Sequence, residues 1–138
     1  MDLAKIKPHS AKCVIRAPWK GNAPLGLAIW MQSLKCDDVQ TLKERHAQER
    51  LALVKAGAEL IPAEVKQRQG IECYAEAITK WEFSKGPDGS ETTFEGKTPE
   101  YSFETAVDIL SKSDVILDQL VNFSQIEEHF FANFAEGS

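Results

Sequence analysis

The sequence predicts an α+β fold that is mainly α, in which an N-terminal antiparallel β-hairpin packs against four or five helices. Two short runs of strand character near the start, separated by a loop rich in proline and glycine, indicate the hairpin. Apolar residues at helical spacing through most of the remaining chain indicate the helices. The length of 138 residues suits a single domain spanning 1–138, and 43% apolar content argues against wholesale disorder.

The hairpin is predicted over residues 12–33, after a polar and basic segment, 1–11, that we expect to form a flexible arm. Residues 12–17 are rich in β-branched side chains, and residues 27–33 alternate in the manner of a strand covered on both faces. The loop 18–26 connects them. Because an isolated hairpin is only marginally stable in water, one face must pack on helices.

A helical middle is predicted over residues 38–83. Asp37 or Asp38 is suited to cap a first helix ending near Lys55. Its apolar stripe is thin, so the helix either faces solvent or packs by a narrow seam on another chain; the stripe comprises Val39, Leu42, Ala47, Leu51 and Val54. A second helix starts at Pro62 and is predicted to bend or break at Gly70. Its apolar face comprises Ile71, Tyr74, Ala75, Ile78 and Trp81.

Residues 84–100 are predicted to be a turn and loop, or a weak hairpin, around the Asp88-Gly89 pair. C-terminal helices follow over 102–135. Ser102 is a good N-cap, and Ser113 or Asp114 is expected to restart a helix. Residues 124–127 match the Ser-x-x-Glu capping box ahead of a final apolar run.

The net charge of −5 is unevenly distributed, because basic residues prevail in 1–35 and acidic residues prevail in 86–138. Such ends either attract each other between copies, giving head-to-tail self-association, or are two ordinary solvated surfaces. The acidic balance argues against nucleic acid as a partner. No apolar run approaches the ~20 residues that span a bilayer, so we expect no membrane partner and a cytoplasmic protein. Three widely spaced cysteines are typical of reduced thiols.

The sequence predicts no catalytic, cofactor-binding or metal site, and therefore no enzyme. The three histidines are far apart, and no histidine or cysteine has a neighbour at metal-ligand spacing. The cysteines lack a partner base nearby in sequence, and adjacent carboxylates do not converge as a catalytic pair would. These residues are better interpreted as structural or surface groups.

Aromatic side chains are the best candidates for contacting a partner protein, because aromatics dominate protein–protein hot spots. Phe130 and Phe131 would point about 100° apart on a helix, so one of them or Phe134 is either an exposed anchor or part of a broad buried face. The candidate partner-binding residues, some as anchors and some as support, are Trp81, Phe103, Phe123, Phe130 and Phe134.

The layout of the chain resembles the tail assembly chaperones of long-tailed, lambda-like siphovirus bacteriophages. In that family a β segment precedes a charged helical middle, a helix ending in Trp, a glycine-containing turn, a Pro-x-(Phe/Tyr)-Ser-x-Glu-x-Ala segment and a late Asn-Phe. The matching residues here are Trp81, Asp88, Gly89, Pro99, Tyr101, Ser102, Glu104, Ala106, Ile109, Leu110, Asn133 and Phe134.

The resemblance implies a non-enzymatic role in virion morphogenesis. Such a chaperone binds the tape measure protein, keeps it soluble and helps to recruit tail tube subunits. A longer form made by ribosomal frameshifting would bind the tail tube protein. The chaperone acts in the host cell cytoplasm and is absent from the mature virion. The alternatives are a structural virion component, such as a tail terminator or head–tail joining protein, and a small regulator directed at the host.

Overall fold

A three-stranded antiparallel sheet with strand order β1-β2-β3 is the centre of the computed structural model, which describes residues 2–131. The strands are β1 (Ala11–Ala17), β2 (Ala23–Met31) and β3 (Ile78–Phe83). Four α-helices occur in the described chain: α1 (Asp37–Lys55), α2 (Ala63–Ala77), α3 (Phe103–Lys112) and α4 (Asp114–Ser124). The predicted α+β class and N-terminal hairpin are therefore confirmed.

The hairpin pairs β1 with β2 from Ala11 opposite Met31 to Ile15 opposite Leu27, where a bulge shifts the register. β2 begins inside the stretch predicted as loop, because the turn is short. The turn between β1 and β2 comprises a 3₁₀ turn, Pro18–Lys20, followed by Gly21 and Asn22 in left-handed conformations. Glycine and asparagine adopt that conformation at the lowest cost, which allows the chain to reverse within five residues.

The helical middle predicted over 38–83 is wrong in its last six residues, because Ile78–Phe83 form β3 and pair with β2. Trp81 therefore lies on a strand. Ile78 and Trp81 fit a helical stripe, but Ile78-Thr79 and Trp81-x-Phe83 are also rich in β-branched and aromatic residues, which favour strands. Because these residues pair with the open edge of β2, they form a strand and not a helix.

The helices differ from the predictions at several ends. Asp37 and Asp38 lie in the first turn of α1, whose N-cap is Cys36. α2 continues unbroken through Gly70, since packing offsets the roughly 1 kcal/mol that an interior glycine costs. Ser102 and Ser113 cap α3 and α4 as predicted, accepting hydrogen bonds from the N–H groups of Thr105 and Ile116.

The predicted capping box at residues 124–127 is wrong. Ser124 is the last residue of α4, and its hydroxyl donates to the carbonyl of Val121 at 2.8 Å. A serine in this position satisfies a C-terminal carbonyl and so cannot cap a following helix. A 3₁₀ turn, Glu127–Phe130, follows without a side-chain cap. The rest of the predicted final helix, with Phe134, lies outside the described residues.

One hydrophobic core joins the inner face of the sheet to the helices. Ile15, Ile29 and Met31 point into it from the sheet and are at most 1% exposed. Each helix contributes a buried face, and Phe130 closes the core from the 3₁₀ turn. Residues 84–100 form a loop held by two isolated bridges, Lys85 with Glu91 and Phe94 with Lys97. This arrangement corresponds to the predicted turn and loop, since the bridges do not extend into a hairpin.

Candidate partner-binding surface

The aromatic residues proposed from sequence are mostly packed inward. Trp81, Phe103 and Phe123 are half-buried against the core, and Phe130 is only 1% exposed. Phe134 lies outside the described residues. The interpretation of Phe130 as an exposed anchor is wrong, because the 3₁₀ turn directs it into the core instead of presenting it along a helix.

Trp81 joins β3 to the segment before α3. Its indole N–H donates to the carbonyl of Pro99 at 2.8 Å, and its ring meets Tyr101 edge-on at 5.2 Å. Tyr101 in turn donates its hydroxyl to the carbonyl of Ile78 at 2.8 Å. The contacts of Trp81 and Tyr101 therefore fix the loop end and the start of α3 against the sheet.

The C-terminal aromatic cluster comprises Phe123, His129, Phe130 and Phe131. The rings of Phe123 and His129 stack at 4.0 Å, and Phe123 meets Phe130 edge-on at 5.9 Å. Phe131 is half-buried against the core. Of the two predictions for this region, an exposed anchor or a broad buried face, Phe130 and Phe131 agree with the buried face.

An apolar groove lies where the hairpin turn meets the corner between α3 and α4, and we call it the tip groove. It has a volume of about 260 Å³. Trp19 and Val115 stand at its mouth and are 66% and 36% exposed. Its lining is mostly apolar, with few polar groups; the residues are Ile15, Trp19, Leu25, Leu27, Phe83, Thr92, Thr93, Phe94, Ile109, Ser113, Val115 and Ile116.

Sequence reasoning missed Trp19 as a surface residue. The signal was present, because a tryptophan directly after Pro18 and before Lys20-Gly21 sits in a turn, and turns lie at the surface. The groove itself brings together residues distant in sequence, which periodicity alone does not locate.

A second apolar area, the distal patch, lies at the far end of α1 and the connection to α2. Leu51 and Val54 are 52% and 53% exposed, and Leu60 is 83% exposed. Val39 and Leu42 of the same predicted stripe are buried. The stripe of α1 thus covers the core with its first half and leaves its second half exposed to solvent.

The seam between α1 and α2 contains the most buried polar side chains, His46 and Gln69. The imidazole Nε2 lies 3.3 Å from a Glu72 oxygen and Nδ1 lies 3.8 Å from the Cys73 sulfur. Gln69 donates to the carbonyl of His46 at 3.3 Å and accepts from Arg50 at 2.6 Å. The Gln69 amide is thereby satisfied across the helix pair, whereas, among the described residues, the buried His46 Nε2 makes no hydrogen bond and has only the Glu72 carboxylate nearby.

Neither buried thiol is activated. Burial raises the pKa of Cys13 to about 11 and also raises the pKa of Cys73. A thiol nucleophile needs the opposite shift, since the thiolate is the reactive form. Within residues 2–131, no group of three or more histidine, cysteine or acidic side chains is placed to hold a metal ion.

The charged ends of the sequence are partly paired within the chain. Lys35 from the basic region forms an ion pair with Glu127 from the acidic region. Lys112 binds Glu95 at 2.7 Å and Asp108 at 3.0 Å. Lys5, Lys7 and Glu100 form no ion pair with any described residue.

No helix in residues 2–131 combines the length and apolar character needed to cross a membrane. No known protein family matches the sequence, and no curated protein or solved structure shows significant similarity to it.

Proposed function

We propose that this protein is a non-enzymatic tail assembly chaperone of a long-tailed bacteriophage. It binds the tape measure protein in the host cytoplasm, keeps it soluble, helps to recruit tail tube subunits, and is left out of the finished virion. The observation that carries the proposal is the tip groove, an apolar channel of about 260 Å³ with an exposed tryptophan at its mouth.

The groove suits the apolar stripe of a helix. Helices that bind in grooves insert side chains spaced three and four residues apart between apolar walls. Here Trp19 and Leu25 form the hairpin wall, and Val115 and Ile116 form the helical wall. A tape measure protein is a long helical chain with exposed apolar faces, so it supplies that ligand repeatedly along its length.

The distal patch gives the same protein a second apolar contact. Leu51 and Val54 are one turn apart on α1 and face solvent. Two separate apolar contacts on one chaperone raise its apparent affinity for a ligand that repeats its binding motif. This arrangement supports coating of an extended chain in preference to capture of one discrete domain.

The family-like motif serves the fold around the groove. Pro99 and Tyr101 fix the loop to β3, Ser102 caps α3, and Ala106 is fully buried. The motif therefore positions α3 and the α3–α4 corner, one wall of the tip groove. The resemblance and the groove bear on the same region and share one residue, Ile109.

Co-expression with the tape measure protein of the same phage genome tests the proposal. The tape measure protein should be soluble only when the chaperone is present, and the complex should contain both chains. The double variant Trp19→Ala and Val115→Glu should abolish this rescue. Ile126→Glu, at a residue 44% exposed and outside the groove lining, is the matched control and should leave it intact.

Equal insolubility of the tape measure protein with and without this chain would show that the function is wrong. Rescue that persists in the double variant would show that the tip groove is not the binding site. Detection of the chain in purified virions by mass spectrometry would favour a structural virion component instead.

A further inference from the structure

The free edge of β3 borders a trench that the proposed function does not use. This edge trench has a volume of about 630 Å³ and runs beside Trp81 and Phe83, with Pro99 and Tyr101 on its opposite wall. Its rim is acidic, because Glu82, Glu91 and Glu100 line it together with a single lysine, Lys85. It is therefore a channel of mixed polar and apolar lining with a negative border.

Backbone groups in the trench are available for pairing. Ser84 donates its N–H to the carbonyl of Gly26 at 2.7 Å, which places that residue pair in hydrogen-bonding register. Alternation along an antiparallel strand then turns the N–H and C=O groups of Phe83 and Trp81 away from β2 and toward the trench. Within residues 2–131, no hydrogen bond outside the sheet pairing uses these groups.

The two ends of this open stretch are already closed. The carbonyl of Ile78 accepts from the Tyr101 hydroxyl at 2.8 Å, and the carbonyl of Ser84 accepts from the N–H of Thr92 at 3.0 Å. The free edge is thus short and bounded, with room for one brief strand. Opposite it on the sheet, the edge of β1 is blocked at Arg16, whose N–H and carbonyl both bond the Gln119 side-chain amide at 2.8 Å.

A segment of this chain has the complementary properties. Within the N-terminal segment 1–11, residues 3–7 read Leu-Ala-Lys-Ile-Lys and carry two positive charges. We keep the name arm for these five residues, of which Leu3–Lys5 form a 3₁₀ turn that would open on strand addition. Leu3 is 78% exposed. The arm's hydrogen bonds within the described chain are confined to its own turn, and the first backbone bond to the body is that of His9 to Phe130.

We propose that the arm of one copy adds as a fourth strand to the edge trench of a second copy. Extended, five residues span about 17 Å, roughly the length of β3. Side chains alternate across a strand, so Ile6 would face Trp81 and Tyr101 while Lys5 and Lys7 would face the acidic rim. Strand addition of this kind combines backbone hydrogen bonds with side-chain selection.

Donor and acceptor are different surfaces, so each contact leaves one arm and one trench free. Such a heterologous contact produces an open chain of copies unless the geometry closes a ring. The uneven charge suggests head-to-tail association, and the contact between arm and trench gives that association a specific location. The proposal is independent of tape measure binding, and its test needs only this chain.

Light scattering after size exclusion measures the association at rising concentrations of purified protein. We expect concentration-dependent oligomers that dissociate as salt is raised, because the contact is partly electrostatic. The donor variant Lys5→Glu with Lys7→Glu, and the acceptor variant Glu82→Lys with Glu100→Lys, should each weaken association about 100-fold through like-charge contact. Lys55→Glu, at the exposed end of α1, is the matched control and should associate like the unmodified chain.

Mixing the two variants gives the decisive result. The acidic arm of the donor variant meets the basic trench of the acceptor variant, and the remaining arm and trench also match, so the mixture should assemble again. Circular dichroism verifies that both variants are folded. A monomer at every concentration overturns the proposal, as does assembly that is unchanged in either variant or that fails to return in the mixture.

Discussion

The hairpin turn and the C-terminal aromatic cluster both contain large aromatic side chains, but these side chains differ in exposure. Trp19 is 66% exposed at the turn, whereas Phe130 is 1% exposed in the cluster. Both residues lie in short 3₁₀ turns, Pro18–Lys20 and Glu127–Phe130. Local backbone shape therefore does not decide their burial.

The difference comes from what lies beneath each turn. The C-terminal turn folds back over the end of α4, where Phe123 and His129 stack and Phe130 meets the core. At the hairpin turn, Trp19 shares the lining of an open groove with Val115 and Ile116 of α4 and stays mostly exposed. An aromatic residue therefore stabilises the fold in the C-terminal turn and is available for contact with a partner in the hairpin turn.

Phe130→Ala should produce the largest loss of stability. Removal of a fully buried phenylalanine costs about 3–5 kcal/mol of unfolding free energy, because it leaves a cavity as well as losing burial. Urea denaturation followed by circular dichroism measures this change. A loss below about 1 kcal/mol would mean that the cluster is not part of the core.

High pH should destabilise the buried region through Cys13. Burial raises the pKa of this thiol from 9.0 to about 11 in the folded protein. The folded state therefore holds the proton more tightly, so the contribution is complete below pH 9 and is lost as the pH rises from 9 through 11. The free energy of unfolding should decline across this window.

Cys13→Ala removes that titration, so its unfolding free energy should decline less steeply between pH 9 and 11. The comparison uses slopes, since the substitution also lowers stability at every pH by opening space in the core. Equal slopes in the two proteins would contradict the assignment of the pH dependence to Cys13.

Gln119→Ala should have an intermediate effect, because it loosens the attachment of the hairpin to α4. The side-chain amide makes two hydrogen bonds to the backbone of Arg16, each at 2.8 Å. Their net contribution is about 1–2 kcal/mol, since water can replace them at this exposed site. Amide hydrogen exchange at Arg16 should also become faster.

Gln119→Glu is a matched variant that separates the two bonds. A carboxylate still accepts from the N–H of Arg16 but cannot donate to its carbonyl. Its stability should fall between those of the unmodified protein and Gln119→Ala. Unchanged exchange at Arg16 in the alanine variant would indicate that the amide contact is not formed in solution.

Trp19→Ala should have the smallest effect on stability, within about 0.5 kcal/mol, because the side chain is mostly in solvent. Urea denaturation measures it alongside Phe130→Ala. A loss above about 2 kcal/mol would place Trp19 in the core and remove the contrast between the two turns.

Features encoded over a few neighbouring residues were predictable from the sequence. The β-branched run before Pro18, the N-caps Ser102 and Ser113, and the glycine-rich turn all act through local chemistry. The third strand was missed because Ile78 and Trp81 fit a helical stripe as well as a strand. Only pairing with β2, a long-range contact, distinguishes the two.

The candidate site was less predictable than the fold. The tip groove brings together β1, β2, the loop at 92–94 and the α3–α4 corner, so no single periodic segment contains it. Phe130 was left open between an exposed anchor and a buried face, because the predicted helix extended through residues that form a 3₁₀ turn. The turn around Trp19 favours exposure, but whether another element covers a turn is a long-range property, as the buried Phe130 of the second turn shows.

The fluorescence of Trp19 tests the central claim most directly, that the tip groove receives an apolar helical chain. Trp30→Phe and Trp81→Phe leave Trp19 as the single tryptophan, and a helical segment of the tape measure protein is then titrated in. We predict a blue-shifted emission and reduced acrylamide quenching as the complex forms. Formation of the complex with unchanged emission and quenching of Trp19 would contradict the account.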